Sequence, residues 1–191
     1  MTTNTVWERD GFLLRSASLE DSKPYYEQNY NPLDRELVKM TGCKDGFTRE
    51  EIISFFSKSI DAADRYLFLL IAPDKNIVGE CVVSEIDPAL RSAHFRIAIL
   101  QNAYRARGLG AWAVQSVCSF VFDTLKMHRL ELNVFSYNTQ AQRVYEKSGF
   151  RIEGIRRDAI MFNDRYADDI LMAMLEDEWK QMAMPCVQPC G

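Results

Sequence analysis

The stretch YRARGLGAWAVQ, Tyr104–Gln115, sets two arginines and two glycines directly ahead of an amphipathic pattern. Val114, Val117, Cys118, Val121 and Leu125 then follow at helical spacing. The first turn of a helix leaves backbone N–H groups unpaired and carries partial positive charge, so it accepts anions. Glycine lets a ligand approach the backbone, and arginine adds charge. The stretch therefore predicts a phosphate cradle, and the question is which phosphate it serves.

Two common cradles fit poorly. A P-loop needs Lys followed by Ser or Thr after its last glycine, and neither pair follows Gly108 or Gly110. Gly108-Leu109-Gly110-Ala111-Trp112-Ala113 does fit the dinucleotide pattern G-x-G-x-x-A, and Glu131 lies at roughly the spacing of about 20 residues that pattern expects. Its context is wrong, however. Gln101 to Arg107 separate the glycines from the preceding strand, and Glu131 stands near the start of its own strand.

Working outward, FLLRSAS (Phe12–Ser18) reads as a strand, with a helix start at Ser18 and Asp21 as its acidic capping partner. Thr48-Arg49-Glu50-Glu51 is a capping box ahead of Ile52, Phe55, Phe56 and Ile60 at helical spacing. The segment between them, Asn29 to Gly46, is polar and broken by Pro32 and Gly42; it reads as a loop able to hold a short helix. YLFLLIA, NIVGECVVSEI and AHFRIAIL read as three strands joined by turns too short for anything but antiparallel hairpins. Such hairpins are not the βαβ units of a dinucleotide fold. After the central helix come a strand at RLELNVFS, a short helix from Asn138 to Ser148-Gly149, and two strands around Asn163-Asp164.

The chain has 191 residues, 47% hydrophobic and 26% charged, which suits a single core of ordinary globular composition. One domain is expected over 1–180, with 181–191 as a disordered tail. The net charge of −4 gives no basic face for nucleic acid. No apolar run approaches the roughly 18 residues of a membrane span, and the polar opening MTTNTVWERDG is unlike a signal peptide. Cys81 and Cys118 read as core residues, which suits a reducing cytoplasm. Cys43 stands alone, and Cys186 and Cys190 lack a nearby His, so no metal site is expected.

Arg105, Gly108 and Gly110 fit [RQ]-x-x-G-x-[GA], which resembles the acetyl-CoA pyrophosphate loop of the GCN5-related N-acetyltransferases (GNAT). A second segment, NVFSYNTQAQRVYEKSGFRIEG, is similar to another signature of that superfamily through Asn138, Ala141, Tyr145, Gly149 and Phe150. Both occur in order and in the right strand–helix contexts, and the element order fits from Phe12 to about Trp179. The neighbouring segments most resemble the branch of spermidine and ribosomal-protein N-terminal acetyltransferases.

The resemblance implies an α/β (α+β) fold, a mixed and mostly antiparallel sheet of about seven strands with about four helices. It implies acetyl-CoA as co-substrate, direct attack by an amine without an acyl-enzyme, no metal, and a homodimer or larger oligomer. The acceptor would be a polyamine, a protein N-terminus or another small amine. Backbone groups from Arg105, Ala106, Arg107, Gly108, Leu109, Gly110 and Ala111 would hold the pyrophosphate, with Arg105 and Arg107 side chains either joining them or facing water. Ile99 and Leu100 would run beside the pantetheine, where the family's strands splay. Asn138 would bond the pantetheine or order its loop, and as an Asn before a helix it is also a good N-cap. Tyr145 would be the general acid for the departing thiolate, the alternative being a core tyrosine packed by its ring.

As base or amine anchor, Glu85 in VVSEID matches a glutamate of the polyamine branch, with Glu80 as second choice. A solvated strand-end glutamate is the plainer alternative. Where the family commonly carries Glu in AE[FI], this chain has His94 in AHF. Imidazole ordinarily titrates near 6.5, so it can act as a base, and it lowers the site's negative charge; a structural histidine satisfied by its neighbours is the equal alternative. Asp34 and Glu36, on the loop forming one wall of the acceptor pocket, are candidates to attract a cation. An acyl-CoA sensor on the same fold is the competing expectation.

Overall fold

Hydrophobic alternation along the strands and stripes on the helices assemble around one sheet. The computed structural model describes residues 6–42 and 46–183. Strands β1 (Val6–Arg9), β2 (Phe12–Ser16), β3 (Tyr66–Ile71), β4 (Ile77–Asp87), β5 (Ser92–Ile99), β6 (Arg129–Phe135), β7 (Arg151–Phe162) and β8 (Arg165–Leu175) form one sheet in the order β1-β2-β3-β4-β5-β6-β8-β7. Every neighbouring pair is antiparallel except β5 and β6.

Six α-helices cover the two faces: α1 (Ser22–Asn29), α2 (Arg35–Thr41), α3 (Arg49–Asp61), α4 (Leu109–Ser119), α5 (Thr139–Lys147) and α6 (Glu176–Ala183). On one face Tyr25, Leu37, Ile52 and Phe56 of the first three helices pack on Leu67, Leu69, Val82 and Ala98. On the other, Val114, Val117 and Cys118 of α4 pack with Tyr145 of α5 and Trp179 of α6 on Phe68, Val83, Phe95 and Leu132. The helix that begins at Leu109 continues as a π-helical turn, Phe120–Thr124, which sets the Phe120 ring edge-on to Phe68 at 5.1 Å. Shape-complementary aromatic packing of this kind makes loss of a buried Phe cost about 3–5 kcal/mol.

The local signals behave as their chemistry predicts. Thr48 and Glu51 close a reciprocal capping box at the start of α3. Asn163 and Asp164 both take positive φ at the β7–β8 turn, as a tight hairpin of right-twisted strands requires.

The element counts differ from expectation at three places. Val6–Arg9 is a strand, because the turn at Asp10-Gly11, both at positive φ, folds it back on β2. The loop after Asn29 holds α2, capped by Asp34 at one end and left-handed Gly42 at the other. A helix also runs past the expected domain end, to Ala183. Cys43, Cys186 and Cys190 lie outside the described residues.

Candidate active site

The parallel ladder between β5 and β6 is three residues long: Ser92 faces Arg129, Ala93 faces Leu130 and His94 faces Glu131. Beyond His94 the two strands continue to Ile99 and Phe135 without pairing, so the sheet parts as the family resemblance implied. A cavity of about 560 Å³ occupies the gap. Its walls are the free end of β5, the free end of β6, and the starts of α4 and α5, and α2 lies across it.

The wall at α4 is made of backbone. Arg105 is extended, Ala106 takes φ +58° and Gly108 takes φ +76° as N-cap of α4. No side chain caps this helix, so its first N–H groups point out with only Trp112 N–H bonding back to Gly108. A Cβ added at Gly108 or Gly110 would meet nothing within 4 Å, so both glycines leave open space ahead of those donors. A phosphate fits that geometry and charge.

The two arginine side chains are placed differently. Arg105 donates from Nη2 to Asp34 at 2.8 Å, from Nη1 to Glu36 at 3.0 Å and from Nε to the Ile99 carbonyl at 3.1 Å. The Arg107 guanidinium stands 5.5 Å from the Tyr104 ring centre. Asp34 and Glu36 thus pair with Arg105 and fasten α2, and Glu36 lines the cavity with its side chain about half exposed. The other end of α2 is fastened to β6 and α5. Tyr137 donates to the Lys39 carbonyl at 2.8 Å, and Asn138 Nδ2 lies 3.5 Å from the Met40 carbonyl. At Gly42 a Cβ would press on Phe135 at 3.0 Å, so a side chain there would lift the helix end. Asn138 also caps α5, accepting from Ala141 N–H at 3.2 Å.

Tyr145, on α5, is 7% exposed and lines the cavity. Its ring packs edge-on to Phe150 at 6.0 Å, and no hydrogen-bond partner holds its hydroxyl among the described residues. Burial, and secondarily nearby Cys81, pushes its pKa well above the ordinary tyrosine range. The group therefore holds its proton at any physiological pH.

Across the gap, residues alternate between faces. Phe95 on β5 and Leu130, Leu132 and Val134 on β6 enter the core beneath α4 and α5, so His94, Arg96, Asn133 and Phe135 take the opposite face. There His94 Nε2 meets Asn133 Oδ1 at 3.1 Å, and Asn133 Nδ2 donates to Asp169 Oδ2 at 2.8 Å. Arg156 also bonds that carboxylate. Asp169 is 5% exposed, and its Oδ1 is buried without a partner. The network fixes the imidazole. A carboxylate only accepts, so the Asn133 amide must donate to it and turn its oxygen to His94. His94 Nε2 then carries the hydrogen, and the neutral ring keeps its lone pair on Nδ1.

The expected glutamates stand differently. Glu85 is exposed and lines no part of the cavity: the β4–β5 register shifts between Ser84 and Asp87, and Glu85 sits in that irregularity at φ +53°. Glu80 is buried, accepting from the Tyr25 hydroxyl at 2.6 Å and from Arg96 at 3.0 Å. Sequence reasoning missed Arg96, Asn133 and Asp169. The alternation of Leu130, Leu132 and Val134 was the available signal for Asn133, since it assigns the intervening residues to the other face. Nothing local marks Asp169 as its partner.

The description "Acetyltransferase (GNAT) domain" matches residues 12–151. A probable N-acetyltransferase of Bacillus subtilis, YjcK, is 28% identical over 76% of this chain and 83% of its own. The spermidine N(1)-acetyltransferase of Vibrio cholerae is 29% identical over 68% of this chain and 75% of its own. Among solved structures, spermidine N-acetyltransferase from Vibrio cholerae in complex with CoA and spermine superposes with a TM-score of 0.79, covering 90% of this chain and 99% of that one at 24% identity. Carrying a matching domain over residues 12–151, the chain belongs to the GNAT acetyltransferase family.

Proposed function

We propose that this N-acetyltransferase moves the acetyl group of acetyl-CoA to a primary amine by direct attack, with both substrates held together in the gap between β5 and β6. One observation carries the reading: the unpartnered hydroxyl of Tyr145 and the imidazole of His94, bonded to Asn133, line the same cavity. The residues also fit acetyl-CoA. The uncapped start of α4 suits the pyrophosphate, and the unpaired edge of β5 past His94 offers main-chain partners to the pantetheine.

In this mechanism His94 Nδ1 removes a proton from the ammonium, which otherwise has no lone pair to attack with. Asn133 and Asp169 keep the ring in the tautomer that can accept it. The freed amine attacks the thioester carbonyl, the C–S bond breaks and Tyr145 gives its proton to the departing sulfur, and the new amide nitrogen releases its extra proton, which restores the Tyr145 hydroxyl. Most of the acceleration would come from holding amine and thioester in register. A homodimer or larger assembly is proposed too. Edge strand β7 leaves Ile152, Ile155 and Met161 exposed, and a structural neighbour is a dodecameric spermidine N-acetyltransferase. A reducing cytoplasm is the proposed compartment, in keeping with the buried free thiols of Cys81 and Cys118.

The test is incubation with acetyl-CoA and a panel of amines, with products followed by mass spectrometry. The expected result is an acetylated amine and no acetylated protein under single-turnover conditions. An acetyl group trapped on the enzyme that then passes to amine would overturn direct attack. Tight acetyl-CoA binding with no product from any amine would favour the sensor.

A further inference from the structure

We infer that the acceptor carries a carboxylate close to its amine, as an α-amino acid does, and that Arg96 receives that carboxylate. The inference rests on the proposed acetylation of an amine at His94 and names the class of molecule that brings the amine.

The charge around the cavity points this way. The one acidic residue lining it is Glu36, and Arg105 already binds that carboxylate. Of the other acids on this face, Glu131 stands opposite His94 in register and accepts from Arg129 Nε at 2.9 Å. Glu80 is buried under Tyr25 and Arg96, and Asp169 is held by Asn133 and Arg156, with its remaining oxygen buried. A polycation entering here would meet no exposed, unpaired carboxylate among the described residues that line the cavity.

Arg96 is the opposite case. It lines the cavity with its side chain 52% exposed, and its bond to Glu80 uses Nη2 alone. Nε and Nη1 have no partner among the described residues, so donors remain for an anion. Glu80, fixed from behind by the Tyr25 hydroxyl at 2.6 Å, anchors the guanidinium in place. Arg96 and His94 are two residues apart on one strand, so their side chains leave the same face roughly 7 Å apart at the backbone. They can converge on groups separated by a single carbon. Leu37, Met40 and Phe135 make the remaining wall apolar, which suits an uncharged side chain on the acceptor.

The experiment compares kcat/KM for L-leucine, L-methionine and L-phenylalanine with their carboxamides and with spermidine. The free acids are expected to exceed their amides by about 10- to 100-fold, the usual worth of a charge-assisted pair. The bias runs against this outcome, since an amide's amine loses its proton more readily. Arg96→Gln should collapse the acid-to-amide ratio toward one by raising KM for the acids, and Arg96→Lys should restore part of it. Acetyl-CoA affinity, measured on each variant, shows whether the fold has survived. Amides or spermidine used as well as the acids, or an unchanged ratio in Arg96→Gln, would overturn the inference and leave amine acetylation standing. No product from any acceptor would overturn both.

Discussion

The two sides of the gap between β5 and β6 are built from different material. At α4 the surface is backbone: uncapped N–H groups, a residue and a glycine at positive φ, and empty space over two glycines. On the acceptor face it is side chain: His94, Asn133 and Asp169 come from three strands and meet through hydrogen bonds. Backbone donors recognise a phosphate whatever it is attached to, so that side suits a co-substrate shared by a whole family. Side chains recognise one arrangement of charge, so the other side is free to change its amine. One fold thereby separates what must stay constant from what can vary.

That division can be broken by substitution. Tyr145→Phe keeps the ring and its packing on Phe150 while removing the proposed acid. A fall in kcat of about 10²–10⁴-fold is expected with acetyl-CoA affinity unchanged. Unchanged turnover would remove Tyr145 from the chemistry. His94→Gln should lower kcat/KM about 10²-fold. Asp169→Asn, acting through Asn133, should cost less, since it disturbs the hydrogen bond that orients the ring and leaves the imidazole in place. An unchanged kcat in Asp169→Asn would reduce Asp169 to a structural partner of Arg156.

The smallest effect belongs to the backbone side. Gly110→Asp adds a carboxylate in open space and should weaken acetyl-CoA binding about tenfold by calorimetry, with the melting temperature nearly unchanged. A large drop in melting temperature would mean that the glycine serves packing.

The same division decides what could be read from the chain. The phosphate side lies within Arg105 to Ala111, and its meaning depends on residues adjacent in sequence. Its fold context, three antiparallel strands followed by a helix, was legible in strand alternation and short turns. The acceptor face was not. His94 and Asp169 are far apart in the chain, and only the β5–β6 and β6–β8 registers bring them to one place. Glu85 looked suitable because a strand-end glutamate resembles the branch's pattern, yet a local irregularity turns it outward. β1 was hidden for another reason: VWER has one half-buried tryptophan as its anchor, too little alternation to show. Asp34 and Glu36 carried the right charge, but their partner Arg105 sits some distance along the chain, beyond the reach of local reasoning.

The three-residue ladder between β5 and β6 has a mechanical consequence. It is a seam joining a leaf of five strands to a leaf of three, and shear across the sheet concentrates on its few rungs. A long, thin guest lodged along the open edge of β5 would act as additional rungs, with α2 as a brace riveted to both leaves. Loading the co-substrate would then also stiffen the protein, and an amine that followed it would meet a cleft already made firm.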